Sequence, residues 1–476
     1  MPGIDAVKPV AQARILIPVT CAWTVRNVLL SGLADGLRES AGVVFALPEN
    51  RDLGRTFEGW ETVTLPDLDR SDRRHAHIRQ RLGRAHFQVA SQTVAQSLLR
   101  LYRHRASLAS RTVITLNTWR ARFESHPGRY RRLVEEEYRR WMSINRGSEA
   151  RARALLDGFD AVLFAAPHSS RERWLARWAK EFGLKTIAIV HSFDNPTTTS
   201  RHFITYDRYL VWNARMRDEL RRIYPEIPDG AIVVAGTPHF SFYYRPEFQG
   251  SREELARSFA LDPMRPILLY AGGPKSLVPH EVHLVARLMR DLREIPEPER
   301  PQLIVRPHPI ERDFARWDLL RRFPEIRWSV PWANSAADAE WAIPTEKSLR
   351  EFCMLVRLSD VVINSCSTMS IDAAVCDTPV ICLDYALPPF ERFAPFVHRY
   401  YEWDHYRPVI SSGGVRIARG PGELMDLIRS YVHKPALDRE KRARLVREMC
   451  GQAPERAVNR FVEIVRDAVG AYAERP

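Results

Sequence analysis

Apolar positions along the chain fall into short runs that alternate with stretches of helical spacing. The runs “RILIPV”, “GVVFALP” and “ETVTLP” near the start are typical of buried strands. Between the first two runs, apolar side chains repeat at helical spacing, at Val25, Val28, Leu29, Leu33 and Leu37. The order strand, helix, strand predicts the start of a doubly wound α/β domain.

The same alternation returns in two later series. “FDAVLFAA”, “KTIAIV”, “RYLVW” and “AIVVAG” predict further strands of the first domain. A second series runs through “ILLYAGG”, “QLIVRPHP”, “IRWSV”, “DVVIN” and “PVICLDY”. We therefore predict two doubly wound domains that face a cleft, residues 1–248 and 249–435. Helices in residues 436–476, interrupted at Gly451, are expected to pack back across both domains.

A long arginine-rich region interrupts the first domain. Residues 71–152 predict helices, with a break at Pro127, and we expect a helical insertion there. In the second domain, “TEKSLREFCMLVRLS” predicts a helix whose Thr-x-x-Ser start is not a true capping box.

Charge points to an anionic partner or to a solvated surface. The 476-residue chain has 71 Lys and Arg against 58 Asp and Glu, a formal net charge of +13, and its arginines concentrate in the first half. A solvated helical face explains such runs. Attraction to a nucleotide-linked donor, an acidic glycan or the phosphates of an anionic membrane is the alternative explanation, second to the solvated face. Nucleic acid is not expected, because no recognition motif accompanies the arginines.

Targeting signals are not indicated. Apolar runs such as “AVLFAA” are far shorter than the roughly 18 residues that cross a bilayer. The N-terminus lacks the basic start, apolar core and cleavage site of a secretory signal. We expect a cytoplasmic protein, with peripheral contact at the inner face of the membrane left open.

Metal and disulfide chemistry are not indicated either. The six cysteines show no C-x-x-C or Cys/His pairing and are expected to be reduced: Cys21, Cys353, Cys366, Cys376, Cys382 and Cys450. Asp67 and Asp69 have the spacing of an Asp-x-Asp metal motif but lie in a linker. No metal ligand is therefore predicted, and a metal-independent mechanism is expected.

A histidine follows the predicted strand of “LIVRPHP”. Pro307 and Pro309 stop the strand after Arg306 and hold His308 in a stiff loop. Open α/β sheets bind ligands at this end of their strands. A turn histidine satisfied by the backbone is the alternative interpretation.

The string “NSCSTMSID” contains the most informative chemistry. A strand that ends at Asn364 is followed by Ser365, Ser367 and Thr368 in the turn that opens a helix, where N–H groups and hydroxyls favour an anion. A plain helix cap would need one hydroxyl. Asp372, one turn later, is a candidate for ribose hydroxyls, or an acid that complements the helix dipole.

These strings, together with “ILLYAGGPKS” and “DTPVI”, resemble the second domain of bacterial GT-B transferases of surface polysaccharides. Similar families are the capsule polysaccharide transferases, the CDP-glycerol glycerophosphotransferases and the sialyltransferases with His-Pro and Ser/Thr motifs. The resemblance covers about residues 267–385, continues loosely in “VVAGTPHF” and “GQAPERAVNRFVEIV”, and does not extend to residues 52–155.

The resemblance implies roles for particular residues. It makes His308, Ser367 and Thr368 ligands of the donor phosphates and Asp372 a ribose ligand, although the families usually have Glu at that position. His308 is expected to neutralise the leaving phosphate. The loop that contains Gly272, Gly273, Lys275 and Ser276 could touch the phosphates as well, or form an ordinary turn. Arg306 and Ser365 complete the predicted nucleotide site.

A catalytic base is expected from the first domain. In “VHSFDNP”, His191 lies where related glycerophosphotransferases have a functional histidine, but Ser192 replaces their glycine. Asp194 is a rival base, because sialyltransferases of this general shape use a carboxylate. His239 in “GTPHF” is a further candidate. Thr24, Arg26 and Asn27 are expected to border the cleft and hold an acceptor.

The preferred function is an inverting, metal-independent glycosyltransferase. It would move a sugar from a CMP-, CDP- or UDP-linked donor to a cell-surface glycan or lipid-linked acceptor, with no tightly bound cofactor. The alternatives are a glycerophosphotransferase, a non-hydrolysing nucleotide-sugar epimerase and an inactive nucleotide-binding module.

Overall fold

Two parallel sheets form the frame of the protein in the computed structural model. The structure describes residues 13–67, 69–89, 106–198, 204–309, 314–331, 341–451 and 453–473, with residues 94, 99, 103, 201 and 311. Each sheet is sandwiched by helices, which explains why its strands are continuous apolar runs. The predicted class, two Rossmann-like α/β domains, is confirmed.

The first sheet has the strand order β3-β2-β1-β4-β5-β6-β7. Its strands are β1 (Arg14–Pro18), β2 (Gly42–Pro48), β3 (Glu61–Leu65), β4 (Ala161–Phe164), β5 (Lys185–Ile189), β6 (Arg208–Val211) and β7 (Ile232–Val234). The order reverses between β1 and β4, so a crevice opens beyond the ends of these two strands.

The second sheet repeats this arrangement with the order β10-β9-β8-β11-β12-β13. Its strands are β8 (Ile267–Ala271), β9 (Gln302–Arg306), β10 (Arg327–Trp328), β11 (Val361–Asn364), β12 (Val380–Leu383) and β13 (Arg416–Ala418). The reversal lies between β8 and β11. The “AGG” and “SCST” loops follow these two strands and therefore share one edge of the sheet.

Helices of the first domain include the predicted arginine-rich insertion. They are α1 (Ala22–Thr24), α2 (Leu33–Arg38), α3 (Arg73–Val89), α4 (Leu108–Glu124), α5 (Pro127–Asn145), α6 (Glu149–Leu156), α7 (Ser170–Glu181), α8 (Asn195–Thr198) and α9 (Ala214–Ile223). A 3-10 segment, Pro238–Tyr244, leads towards the second domain.

The second domain contains the remaining helices. They are α10 (Arg252–Phe259), α11 (Glu281–Arg293), α12 (Glu346–Leu358), α13 (Met369–Val375), α14 (Ala394–Tyr400), α15 (Arg407–Ser411), α16 (Pro421–His433) and α17 (Arg439–Cys450). The last helix, α18 (Ala457–Ala473), returns to the first domain.

The helix predicted after β1 is interrupted in the structure. A π-helical segment, Val25–Leu29, follows α1, and the chain turns at Gly32 before α2 begins. Gly32 has a φ of +84°, and a Cβ there would lie 3.0 Å from Nη1 of Arg245. The prediction of one continuous helix is therefore wrong, because apolar spacing does not reveal a left-handed residue.

α18 completes the core of the first domain. Phe461 and Val465 are fully buried there, and a Cβ on Gly36 of α2 would lie 2.8 Å from Val462. The turn into α18 passes Gly451, whose φ is +73°, and a Cβ there would lie 2.3 Å from the carbonyl oxygen of Trp212.

One helix of the insertion exposes an apolar surface. Five large side chains of α4 are between 57% and 81% exposed, and we call them the apolar face of α4: Leu108, Val113, Leu116, Trp119 and Phe123. Among the described residues, no helix is long and apolar enough to span a bilayer.

Candidate functional site

The loop after β11 is built around Asn364. Its amide oxygen accepts the N–H of Ser367 at 3.2 Å, and its amide nitrogen donates to the hydroxyl of Ser370 at 3.0 Å. Cys366 has a φ of +52°, a conformation that a residue with a Cβ rarely adopts. This strained turn sets the direction of the hydroxyl-bearing loop.

The three predicted hydroxyls of this loop have different surroundings. The Ser367 hydroxyl accepts the N–H of Met369 at 3.3 Å, as a helix cap does. The Ser365 hydroxyl is buried and forms no hydrogen bond with the described residues. Thr368 is partly exposed beside it. Ser365 and Thr368 are therefore the hydroxyls that remain for a phosphate.

Asp372 lies at the contact between the domains. It is 3% exposed, and its carboxylate accepts the hydroxyl of Tyr243 from the first domain at 2.8 Å. Burial raises the pKa of Asp372 to about 6, although the charge of Arg26 opposes this shift. A ribose at this carboxylate would share it with Tyr243.

The loops after β8 and β9 are tightly packed. The N–H groups of Gly272 and Gly273 donate to the Arg306 carbonyl and to the Glu281 carboxylate, both at 2.8 Å. A Cβ on Gly273 would lie 2.4 Å from Val278. These N–H groups are already used in the protein, so the glycines serve its packing. Lys275 is exposed at the start of the loop.

Arg306 and His308 were both predicted to bind the nucleotide, but in the structure Arg306 is buried against Ser329 and His308 is neutral. Arg306 is 5% exposed and donates to the Ser329 hydroxyl at 2.7 Å. Burial, reinforced by the charge of Arg316, lowers the pKa of His308 to about 4. His308 is therefore neutral near pH 7 and could donate a hydrogen bond to a phosphate without neutralising its charge.

Imidazoles form the first-domain side of the site. His168 and His191 follow β4 and β5, and their ring centroids lie 4.7 Å apart. Trp23, which follows β1, lies 5.6 Å from the ring of His191 and 6.1 Å from that of His239. Parallel strands bring these residues to one sheet edge.

Arg26 joins this group to the second domain. Its Nη2 lies 3.1 Å from Nε2 of His239, and its charge acts on Asp372. Burial and Arg26 lower the pKa of His239 well below its usual value, so its Nε2 accepts from Arg26. The proton is then on Nδ1, which is buried and has no hydrogen-bond partner among the described residues.

Asp194 lies close to the second domain. Its carboxylate accepts the hydroxyls of Ser192 and Thr198, and its charge acts on Cys366 and His405 across the interface. The structure therefore places both predicted bases, Asp194 and His191, near the edge that faces the “SCST” loop.

Several residues of this site were not predicted from the sequence. They are His168, Glu172, Tyr243 and His405. Glu172 accepts the Thr20 hydroxyl and the Ala166 N–H, both at 2.8 Å, and so ties the ends of β1 and β4 together. Burial raises the pKa of Glu172 to about 8. The position of His168 in the loop after β4 was a usable signal, whereas the other three depend on tertiary contacts.

Neither aspartate of the Asp-x-Asp string is placed to bind a metal ion. Asp67 pairs with Arg171 at 2.9 Å, and Asp69 accepts the indole N–H of Trp141 at 2.9 Å. Within the described part of the chain, no cluster of three or more His, Cys, Asp or Glu side chains has the arrangement of a metal site.

Comparisons with known proteins identify the fold. No protein-family model and no curated protein matches the chain. A candidate UDP-N-acetylglucosamine 2-epimerase from Listeria monocytogenes is 9% identical, with a TM-score of 0.55 and 96% of each chain covered. The Rickettsia bellii UDP-N-acetylglucosamine 2-epimerase is 12% identical, with a TM-score of 0.52 and 97% of each chain covered.

A third solved structure contains a ligand. The UDP-GlcNAc 2-epimerase of Neisseria meningitidis, bound to UDP-GlcNAc, is 11% identical, with a TM-score of 0.50, 96% of this chain and 100% of that chain covered. At these identities the likeness shows a shared fold. The chain has the GT-B arrangement of two Rossmann-like domains.

Proposed function

We propose that the protein is an enzyme that binds a nucleotide sugar between its two domains and breaks the bond between the sugar C1 and the nucleotide. The observation that carries this proposal is that Arg26, paired with His239, acts on Asp372, and Asp194 acts on Cys366 of the “SCST” loop, at the domain interface. Buried donors at one edge of two Rossmann-like sheets suit an anionic nucleotide.

UDP is the first nucleotide to test. Solved structures that share the fold include complexes named for UDP and for UDP-GlcNAc. CMP- and CDP-linked donors remain in the proposal as second choices. Ser365, Thr368 and His308 would donate hydrogen bonds to the phosphates, and Arg26 would supply the positive charge that the neutral His308 lacks.

Epimerisation is the first candidate reaction. The named structural neighbours are UDP-GlcNAc 2-epimerases, and they match almost the whole chain. In such a reaction the C2–H bond and the bond from C1 to the nucleotide oxygen break to form a C1=C2 double bond, and the nucleotide then adds back to C1 while a proton returns to the opposite face of C2. It therefore needs two groups that transfer protons. His191 and Asp194 are the proposed pair.

Inverting glycosyl transfer is the second candidate. Histidines predominate on the first-domain side, where the carboxylates named above are Asp194 and Glu172, the latter already bonded to Thr20 and Ala166. A single base that deprotonates an acceptor hydroxyl suffices for transfer, and either Asp194 or His191 could serve. A glycerophosphotransferase would use the same groups to attack phosphorus.

The test of the reaction is incubation of the full chain with UDP-GlcNAc in D2O, followed by proton NMR. An epimerase would form the C2 epimer and incorporate deuterium at C2 without an acceptor. A transferase would leave the substrate intact until an acceptor glycan is added. Binding without turnover under both conditions would favour the inactive module.

The test of the nucleotide site is the thermal shift with UDP. A ligand at about 100 times its dissociation constant stabilises a protein by about 2.7 kcal/mol. His308→Ala and Thr368→Ala should reduce the shift, whereas His433→Ala, an exposed histidine of the second domain, should not. No shift with UDP, CDP or CMP would contradict the proposal.

We also infer that the apolar face of α4 contacts an anionic membrane. Interfacial helices bury Leu, Trp and Phe at the membrane surface and surround them with basic residues. Arg111, Arg120 and Arg122 of α4 are exposed beside the apolar face, and the chain has a net charge of +13. A lipid-linked acceptor would meet the enzyme at such a surface.

A further inference from the structure

A second cavity lies inside the first domain, between the helical insertion and α7. Its volume is about 320 Å³, within the range of small-molecule sites. Four arginines line it: Arg79 of α3, Arg173 and Arg177 of α7, and Arg201. Among the described residues that line it, Glu137 of α5 is the one acidic side chain.

Two of the four arginines are already neutralised. Arg177 pairs with Glu137 at 2.7 Å, and Arg201 pairs with Glu226. Glu137 also accepts a hydrogen bond from His75 at 2.9 Å, so its two oxygens are occupied.

The other two arginines are not paired. Among the residues that the structure describes, neither Arg79 nor Arg173 forms an ion pair or a hydrogen bond through its side chain. Burial, with repulsion from Arg79 and Arg177, lowers the pKa of Arg173 to about 10. Asp69 and Tyr206 oppose only part of this shift, so positive charge is concentrated in the cavity at a cost in free energy.

A hydroxyl near this cavity also lacks a partner. Tyr206 is 1% exposed, and its hydroxyl forms no hydrogen bond within the described residues. The charges of Arg173 and Arg177 act on it. Buried polar groups are normally paired, and Tyr206 does not line the cavity, so its hydroxyl adds to the unsatisfied polar groups near Arg173 and Arg177 without contacting a ligand there.

The cavity is next to the candidate cleft. Burial, reinforced by the charge of Arg173, lowers the pKa of His168, and the ring of His168 lies 4.7 Å from that of His191. Arg173 therefore lies between the cavity and the proposed proton-transfer group of the cleft.

We propose that this arginine cavity binds the oxyanion group of a second ligand, a phosphate or a carboxylate, beside the His191 side of the cleft. Guanidinium groups bind both kinds of oxyanion through paired N–H donors. The site is distinct from the proposed nucleotide site, and it does not depend on whether the reaction is epimerisation or transfer.

The binding test uses glucose 1-phosphate and glucuronate as probes of the full chain, by calorimetry at fixed ionic strength, with and without saturating UDP. Arg79→Gln and Arg173→Gln should weaken binding of the recognised probe at least about tenfold, the loss expected for one charge-assisted hydrogen bond. Arg74→Gln removes the same charge from an exposed position of α3 and should leave binding unchanged.

The outcomes separate the ligand classes and the two sites. Binding of glucose 1-phosphate alone identifies a phosphate, and binding of glucuronate alone identifies a carboxylate. The UDP response should be the same in all variants, so a failure here is distinct from a failure of the nucleotide site. Binding of neither probe, or equal binding by Arg74→Gln and the two cavity variants, overturns the proposal.

A second measurement tests whether Arg173 has a purely structural role. Without added ligand, Arg173→Gln should raise the melting temperature, because it relieves repulsion among like charges. A lower melting temperature would show that Arg173 supports the fold, and it would overturn the assignment of Arg173 to a ligand.

Discussion

The buried carboxyl of Asp372 makes the contact between the domains sensitive to pH. Its pKa is about 6 in the folded protein and near 4 in an unfolded chain, so the folded state binds more protons between these values. The stability that this carboxyl contributes is fully present below pH 4 and is lost as the pH rises through 6.

Asp372→Asn should remove this loss of stability at higher pH. Asparagine can still accept the Tyr243 hydroxyl. The variant should match the wild type near pH 4 and exceed it in free energy of unfolding by roughly 3 kcal/mol above pH 7. Urea denaturation from pH 4 to 8 measures the difference, and a constant difference across this range would contradict the assignment.

The two proposed proton-transfer groups can be separated by substitution. Loss of a general base costs typically 10²- to 10⁴-fold in rate. His191→Asn and Asp194→Asn should therefore each reduce kcat strongly if both transfer protons, as epimerisation requires. If only one variant loses activity, that residue is the base of a transfer reaction. UDP binding, measured by thermal shift, should persist in both variants.

Single residues were predictable from the sequence where strand order determines their position. β4 and β5 end at one edge of the first sheet, and β9 and β11 end at one edge of the second, so strand order alone puts His191 and Ser365 at these edges. Protonation could not be predicted in this way. The neutral state of His308 depends on burial and on Arg316, which lies outside its motif.

At the scale of secondary-structure elements, the contacts at helix ends were also only partly predictable from the sequence. The Thr-x-x-Ser start of α12 was expected not to be a true capping box. In the structure, the Thr345 hydroxyl accepts the Ser348 N–H at 3.1 Å, and the Ser348 hydroxyl accepts the Thr345 N–H at 2.9 Å. The expectation is wrong, because a serine side chain also reaches the N-cap N–H that Glu or Gln usually binds.

The apolar face of α4 predicts reversible binding to membranes. Vesicles that contain anionic lipid should bind the protein, and binding should weaken as salt rises towards physiological ionic strength. Leu116→Asp and Trp119→Asp should reduce binding in a vesicle flotation assay. Met264→Asp is the control, since Met264 is 88% exposed on the second domain.

Two results would contradict this membrane assignment. Equal flotation of the α4 variants and the wild type would show that the apolar face is not the contact. A concentration-dependent dimer that disappears in Trp119→Asp, without vesicle binding, would assign the face to a second copy of the chain.

At the scale of the whole molecule, the last helix stabilises the first domain. Val465 of α18 is fully buried in that domain, whereas the neighbouring Arg466 is 59% exposed. Val465→Asp should lower the free energy of unfolding by roughly 3 kcal/mol or more, because it buries an unpaired carboxyl. Arg466→Asp should change it by less than about 0.5 kcal/mol.

Hydrogen exchange would locate the effect of Val465→Asp. Faster exchange at the amides of β1 and β5, which lie about 270 residues or more earlier in the sequence, is the expected result. Faster exchange confined to the second domain would contradict the role assigned to α18.

The arrangement of two tandem Rossmann-like domains was predictable because apolar runs alternate with helical stretches twice along the chain. The residues that meet across the domain interface were not predictable from the sequence. Tyr243 lies in a 3-10 segment without a periodic pattern, and Asp372 gave no sign that its partner would be a tyrosine 129 residues earlier. Contacts between distant segments leave little trace in a single sequence.

The return of the chain through Gly451 has a mechanical consequence. The chain crosses between the domains twice, and the second crossing, at Pro454–Arg456, packs against Pro238–Tyr244 of the first. Because the two crossings lie side by side, they define a common hinge axis. Rotation about this axis would displace the distant rim of the cleft most and the contact between Tyr243 and Asp372 least, so substrate could enter while that contact persists.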